Sequence, residues 1–251
     1  MTTYLEERLQ WYDDNYRAGN ALISDAQFDQ LENNLMRINP KADYFTNKKA
    51  LPLPSLPKDQ ITEFIEGLLP DTRLLIEPKI DGCAIAIKYI DGKFSKAISR
   101  KSRDVSKKIY QIKTVPKQIN IRSSFVVRGE LFTAEEEPSF SQRIASGYLR
   151  SGDYQPNKKI CFCAFQIING RLNQYESHIY CRKLGFTIPK FVEANRTSQV
   201  ETCRQAWKSG KLFADYPTDG IVVKINSRKL QLIREKSTNL IYPYWQMAIK
   251  Y

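Results

Sequence analysis

Three prolines within Leu51-Pro-Leu-Pro-Ser-Leu-Pro57 interrupt this chain of 251 residues. Proline lacks the amide proton that helices and central strands need, and it drives the preceding residue out of the helical region. No regular element can cross this stretch, so it is a linker. The apolar periodicity differs on its two sides. That contrast predicts a small helical domain over residues 1–50, a linker over 51–58 and a larger domain over 59–251.

Before the linker, two short amphipathic helices are expected. Thr3-x-x-Glu6 reads as a capping box, followed by Leu5, Leu9, Tyr12 and Tyr16 at helical spacing. Ser24-x-x-Gln27 caps the second, whose stripe is Phe28, Leu31, Leu35 and Ile38, and Asn39-Pro40 stops it. Beyond the linker, Asp59 caps a helix carrying Ile61, Phe64, Ile65 and Leu68. Extended runs then follow at Arg73–Lys79, Cys83–Tyr89, Phe125–Arg128, Ile160–Ile168 and Gly220–Ile225, and Asp91-Gly92 signals a hairpin turn. Ser198-x-x-Glu201 caps a further helix, and another is expected around Tyr180–Leu184. Strands and helices mixed with hairpins predict an α+β fold rather than a doubly wound sheet.

Apolar residues make up 42% of the chain, enough for a sizeable core. No run approaches the ~18 apolar residues of a membrane span, and the N-terminus lacks a signal peptide, so no membrane partner is expected. The five cysteines form no Cys-x-x-Cys pair, which argues against a disulfide framework and against structural zinc, and favours the reducing cytoplasm. A net charge of +12 suits a polyanionic partner, although it equally describes a basic solvated surface.

The chemistry centres on Glu77-Pro-Lys79-Ile-Asp81-Gly82, a lysine with a carboxylate two residues away, between two strands. Such an amine becomes a nucleophile when desolvation or neighbouring cations favour its neutral form. Taken singly, these residues also have plainer readings. Lys79 is then a loop lysine, Asp25 a helix N-terminal acid, Glu130 a surface carboxylate and Lys224 a snorkelling strand-end lysine. His178 reads as a surface residue, and Cys161 and Cys163 as core.

Further segments accompany Lys79 in a fixed order. They are Ile23-Ser-Asp25-Ala-Gln-Phe28-Asp29, Ser55-Leu56, Arg100 (21 residues after Lys79), Val127-Arg-Gly-Glu130, Asp219-Gly-Ile-Val-Val-Lys224 and Tyr244-Trp-Gln-Met-Ala-Ile-Lys250-Tyr251. With them the chain resembles the NAD⁺-dependent DNA ligases, over their small N-terminal domain and their ATP-grasp-like nucleotidyltransferase domain, from about Thr3 to Tyr251. The resemblance implies that Lys79 is the nucleophile, with Asp81 orienting its amine or meeting the ribose. It places Glu77 and Phe165 beside adenine, Ser55 and Leu56 at the border of the adenylate pocket, and Arg100 and Glu130 on the sugar. Lys224 and Lys250 are implied to bind the phosphate, and Asp219 with Glu130 to hold Mg²⁺, with Mn²⁺ as a substitute. Tyr16, Asp25, Phe28 and Asp29 resemble the nicotinamide mononucleotide clamp. Arg143 and Arg150 are similar to a paired-arginine segment, with one residue fewer between them.

The implied reaction is attack of Lys79 on the adenylyl phosphorus of NAD⁺, leaving a lysyl-AMP as the first step of sealing nicked duplex DNA. This chain departs from the family's pattern in two places. After Arg100, a glycine-rich acidic loop gives way to Lys101-Ser-Arg103-Asp104, inside a stretch to Arg122 with eight basic residues and one acid. Lys101 and Arg103 are therefore candidates for nucleic-acid contact. In the clamp, Asn15-Tyr16 and Phe28 stand where other residues are usual, which weakens the choice of NAD⁺ over ATP. The matched region has no counterpart of the family's OB-fold, zinc-finger, helix-hairpin-helix and BRCT modules, and three expectations stand: a longer chain carries them, a separate subunit supplies them, or this is a minimal form that works without them. Two rival readings are an ATP-dependent nucleic-acid ligase and a catalytically degenerate nucleic-acid-binding subunit.

Overall fold

The N-terminal helices pair across an apolar stripe. In the computed structural model, which describes residues 2–18, 22–39, 42–44, 56, 61–100, 103–134, 136–150, 159–168, 170–237 and 244–250, α1 spans Thr2–Ala18 and α2 Asp25–Ile38. Leu9, Leu35, Ala42 and Tyr44 are buried between them, with Leu5, Phe28, Leu31 and Met36 packed around. The Ser24–Gln27 capping box forms as the sequence predicts. Thr3, read as a cap, lies inside α1. Glu6 instead accepts the Tyr44 amide at 2.7 Å, a tertiary contact across 38 residues. Ile38 is exposed at the helix end rather than part of the stripe. Asp59 and most of the linker lie outside the described residues.

From residue 61 onward, two antiparallel four-stranded sheets face each other. The short α3 (Ile61–Glu66) precedes β1 (Leu74–Ile80), β2 (Cys83–Ile90) and β3 (Lys93–Ser99). After these come α4 (Ser106–Tyr110), β4 (Phe125–Thr133), α5 (Pro138–Arg150) and β5 (Ile160–Ile168). The chain continues through α6 (Gln174–Lys183), β6 (Val192–Ala194), α7 (Thr197–Lys208), β7 (Thr218–Ile225), α8 (Arg228–Ser237) and β8 (Gln246–Ile249). One sheet has the order β6-β1-β7-β8 and the other β3-β2-β4-β5. Only Asp81 and Gly82 separate β1 from β2, so the chain passes between the sheets immediately after Lys79.

Each sheet buries one face against helices. Ile85, Ile87, Tyr89, Val127, Leu131 and Phe162 pack on Ala145 and Tyr148 of α5 and Cys181 of α6. Leu74, Ile76, Ile221, Val223, Ile225, Met247 and Ile249 pack on Phe64 of α3 and Val200 and Cys203 of α7. Because side chains alternate along a strand, the residues between these point to the opposite face. Those are Glu77, Lys79 and Lys224 in the first sheet and Arg128 and Glu130 in the second. Cys161 and Cys163 are buried with Phe132, as core cysteines.

Some elements differ from the sequence reading. β4 runs five residues past Arg128 and so carries Gly129 and Glu130 within a strand. Ser198 lies inside α7, and the Asn195 amide is taken by Gln199 instead of a capping box at Ser198. α6 starts at Gln174, six residues before the expected helix. No helix among the described residues is long and apolar enough to cross a membrane.

Close strand packing accounts for one glycine beside the site. A Cβ on Gly129 would come within 2.3 Å of both the Cys163 carbonyl and the Phe162 ring. Gly129→Ala must therefore spread β4 from β5. We expect its thermal midpoint to fall by about 5 °C or more, given ~1–3 kcal/mol for overpacking and ~2–4 °C per kcal/mol at this size. Thermal unfolding followed by circular dichroism checks this, and an unchanged midpoint would contradict it.

Candidate active site

An irregularity between two strands sets the position of Lys79. Pro78 faces Ile221, but Ile80 faces Thr218, so two residues of β7, Asp219 and Gly220, lie opposite Lys79 alone. An extra residue of this kind bends its strand and re-aims side chains. Here Asp219 Oδ1 comes to 2.5 Å from Lys79 Nζ. The other oxygen, Oδ2, lies 3.1 Å from Lys250 Nζ, just past the end of β8. Gly220 permits this approach, because a Cβ there would sit 2.3 Å from the Ile249 carbonyl. Burial raises the Asp219 carboxyl, but Lys79 and Lys250 outweigh it and hold the group below the usual carboxylate range.

Glu130 faces this pair from the other sheet, where β4 sets it opposite Ala84 and Cys163. Burial pushes its carboxyl up to about 8; the charges of Asp81 and Asp219 add to the rise, while Lys79 and Arg100 oppose it. Lys79, Asp81, Arg100 and Asp219, most of them from separate segments of the sequence, thus all act electrostatically on Glu130. Asp219 thus supplies a carboxylate in contact with the Lys79 amine, a task for which the sequence offered Asp81, with contact to the ribose as the alternative.

A second, deeper cluster surrounds Glu77, two residues before Lys79 on the same face of β1. Glu77 is 2% exposed. Its Oε2 accepts from Lys224 Nζ at 2.7 Å. Its Oε1 lies 2.7 Å from His178 Nε2 and 3.5 Å from Gln174 Nε2. Lys224 Nζ is also 5.0 Å from the centroid of the Phe165 ring, and Gln174 donates to the Phe165 carbonyl at 2.9 Å. Burial works to raise the Glu77 carboxyl; Lys224 and His178 together outweigh it and bring it to about 2. An ionised carboxylate only accepts hydrogen bonds, so His178 donates through Nε2.

Two sequence readings are corrected here. Lys224 is buried within the site rather than snorkelling from a strand end. It is 2% exposed and paired with Glu77. His178 is buried to 1% exposure and belongs to the site, not to the surface. It and Gln174 are the residues that the sequence reading missed. A local signal for them existed in Asn173-x-x-Glu176, whose Asn173 amide is accepted by Glu176 at 2.9 Å. That start fixes the buried face of α6 as Gln174, Ser177, His178 and Cys181.

The remaining predicted positions are more dispersed. Ser55 and Lys101 lie outside the described residues, as do the side chains of Tyr16, Asp25 and Asp29. Phe28 packs into the α1–α2 core, and Leu56 is half-buried. Arg100 and Arg103 are exposed. On α5, the Arg143 guanidinium lies over the exposed Phe140 ring at 5.8 Å, and Arg150 Nε donates to the Ser146 carbonyl at 3.4 Å. A cavity of about 180 Å³, lined by Gln166, Gln174, Tyr180, Arg228 and Gln231 among others, does not include Lys79. No group of three metal-ligating side chains occurs among the described residues.

Comparison with known proteins finds relatives along most of the chain. Residues 57–251 match the model of the NAD-dependent DNA ligase adenylation domain. The chain is 27% identical to the DNA ligase of Mycoplasmopsis agalactiae, in a match covering all of this chain and 45% of that protein. It is 28% identical to the DNA ligase of Metamycoplasma arthritidis, covering 89% of this chain and 39% of that one. The chain thus spans less than half the length of these relatives. Among solved structures, a putative ATP-dependent DNA ligase from Aquifex aeolicus aligns with a TM-score of 0.50 at 14% identity, covering 79% of this chain and 49% of that chain. An archaeal ATP-dependent RNA ligase aligns with a TM-score of 0.50 at 12% identity, covering 79% and 48% respectively. At these identities the two structures share the fold alone.

Proposed function

The chain belongs to the family of NAD-dependent DNA ligase adenylation domains, and from that membership we propose that it takes AMP from NAD⁺ onto Lys79 as the first step of sealing nicked duplex DNA. The observation that carries the proposal is the Lys79–Asp219–Lys250 triad beside the buried Glu77–Lys224 pair. A nucleophilic amine, a carboxylate in contact with it, a second cation and a recognition floor are gathered between two sheets.

In this reaction Lys79 Nζ bonds to the adenylyl phosphorus. The bond from that phosphorus to the bridging oxygen breaks, and nicotinamide mononucleotide leaves with the electron pair. Only the neutral amine attacks, so a proton must first leave, and Asp219 Oδ1 is the acceptor in contact. Lys250, held 3.1 Å from the same carboxylate, places positive charge where the phosphate gathers negative charge. Glu77, Lys224 and Phe165 form the base side of the pocket, while Arg100, Asp81 and Glu130 meet the sugar. The oxygen donors of Glu130 and Asp219 suit Mg²⁺, with Mn²⁺ as a substitute, since such a cation needs only one or two carboxylates plus substrate phosphate. When bound, it would neutralise charge on the phosphate oxygens.

Residues 1–50 are read as the domain for the leaving nucleotide, through Tyr16, Asp25, Phe28 and Asp29. Residues 51–58, with Ser55 and Leu56, link it to the nucleotidyltransferase domain of residues 59–251. Lys101, Arg103, Arg143 and Arg150 are assigned to the DNA backbone. The OB-fold, zinc-finger and helix-hairpin-helix functions are assigned to a separate subunit or a longer chain, and the compartment is the cytoplasm.

Intact mass before and after NAD⁺ with Mg²⁺ tests the proposal, on protein freed of endogenous AMP. We expect a gain of one AMP, about 329 Da, from NAD⁺ and none from ATP. A gain from ATP alone would make the chain an ATP-using ligase. No adduct from either, with salt-sensitive binding to nicked duplex, would leave a degenerate nucleic-acid-binding subunit.

A further inference from the structure

Glu77 is gripped from α6 as well as from β7. His178 and Gln174, one helical turn apart, both address Oε1, at 2.7 Å and 3.5 Å, while Lys224 holds Oε2 at 2.7 Å. The histidine is itself fixed. Its ring stacks on Phe191 at 5.4 Å and 13° and is almost wholly buried. Among the described residues its Nδ1 has no hydrogen-bond partner. Leaving a buried ring nitrogen unpartnered costs stability. A leucine or phenylalanine would fill the same space against Phe191 without that cost. What only the histidine supplies is the Nε2 donor to Glu77.

An ionised carboxylate has about four acceptor positions over its two oxygens. His178, Gln174 and Lys224 occupy the buried side, so whatever capacity remains is turned to the ligand and only accepts. We propose, on the reading that Glu77 faces the base of the bound nucleotide, that His178 is a positioning residue for base selection. By fixing Glu77 in one orientation, it makes the pocket take a purine with a 6-amino donor and refuse a 6-oxo purine. The oxo group would oppose acceptor to acceptor, and a polar site built for one pattern rejects the other strongly.

The test compares initial rates of adduct formation from NAD⁺ and from nicotinamide hypoxanthine dinucleotide, which differ only in the base, at the 6-substituent and in the proton on N1. The proteins are wild type, His178→Phe and His178→Gln, each checked for folding by its thermal midpoint. Wild type should prefer NAD⁺. His178→Phe should lose about tenfold or more of that preference, through a higher KM for NAD⁺. His178→Gln, which keeps a donor, should recover most of it. His178→Leu serves the same comparison if the phenylalanine variant does not fold. An unchanged preference in the folded variants, whatever happens to their midpoints, would show that the ring only fills space and overturn the proposal. A wild-type protein indifferent to the base, or one that forms no adduct, overturns instead the reading of Glu77 on which it rests.

Discussion

Lys79→Ala protein given NAD⁺ and Mg²⁺ is expected to gain no AMP, with adduct formation at least about 10⁴-fold below wild type, as when other enzymes lose their nucleophile. No other described lysine is placed to substitute. Lys250 reaches the same carboxylate from the opposite side, and Lys224 is taken by Glu77. Lys79→Arg separates chemistry from charge. Its guanidinium keeps the positive partner of Asp219 yet stays protonated, so it cannot attack phosphorus. We therefore expect Lys79→Arg to fold as wild type, with its thermal midpoint within a few degrees, and to form no adduct by intact mass. An adduct on either variant would move the nucleophile to another residue and remove the central element of the proposed mechanism.

The largest stability effect should come from the Glu77–Lys224 pair. Both side chains are buried and lie 2.7 Å apart. Removing one partner leaves the other charged and enclosed, which typically costs ~3–5 kcal/mol. For a chain of this size Lys224→Met should then lower the thermal midpoint by about 10 °C. The double variant Glu77→Gln with Lys224→Met should lose less than the sum of the two singles, because neither charge is stranded. Additive losses would mean that the two groups do not interact.

The same pair predicts a response to acid. The folded-state Glu77 carboxyl lies at about 2, below its ordinary value of 4.5. The unfolded chain therefore binds more protons between these limits, and stability rises with pH across them. The contribution is fully present above about pH 4.5 and is lost as pH falls through about 2, roughly 3 kcal/mol in all. In Lys224→Met, burial is no longer outweighed, so this part of the acid transition should flatten. Urea titrations at a series of acidic pH values measure it, and identical slopes in both proteins would contradict the assignment.

Much of the fold follows from local patterns. The strand at Ile160–Ile168 has the boundaries expected from its apolar, β-branched run. The Ser24–Gln27 box starts α2, since that signal lies within four residues and needs no other part of the chain. Other elements left little trace. The buried face of α5 is Ser141, Ala145 and Tyr148, whose small and polar members do not read as an apolar stripe. Ser141 earns its burial by accepting the Thr133 amide from β4. Thr3 and Ser198 carry capping-box spacing yet lie inside helices that start one residue earlier, and near the second the Gln199 side chain accepts the Asn195 amide.

The candidate site divides in the same way. By itself, the sequence determined which groups are available and where each sits locally. It placed a lysine between two strands and an ordered set of motifs that marks the family. It could not determine which carboxylate meets which amine. Asp219 is 140 residues from Lys79, Lys224 is 147 from Glu77 and His178 is 101 from Glu77. Those pairings are set by the extra residue of β7 opposite Lys79, and by the packing of α6 on β5. Local periodicity records which face of an element is apolar. Partner choice depends on strand register and on how the faces come together, and only the tertiary structure decides these.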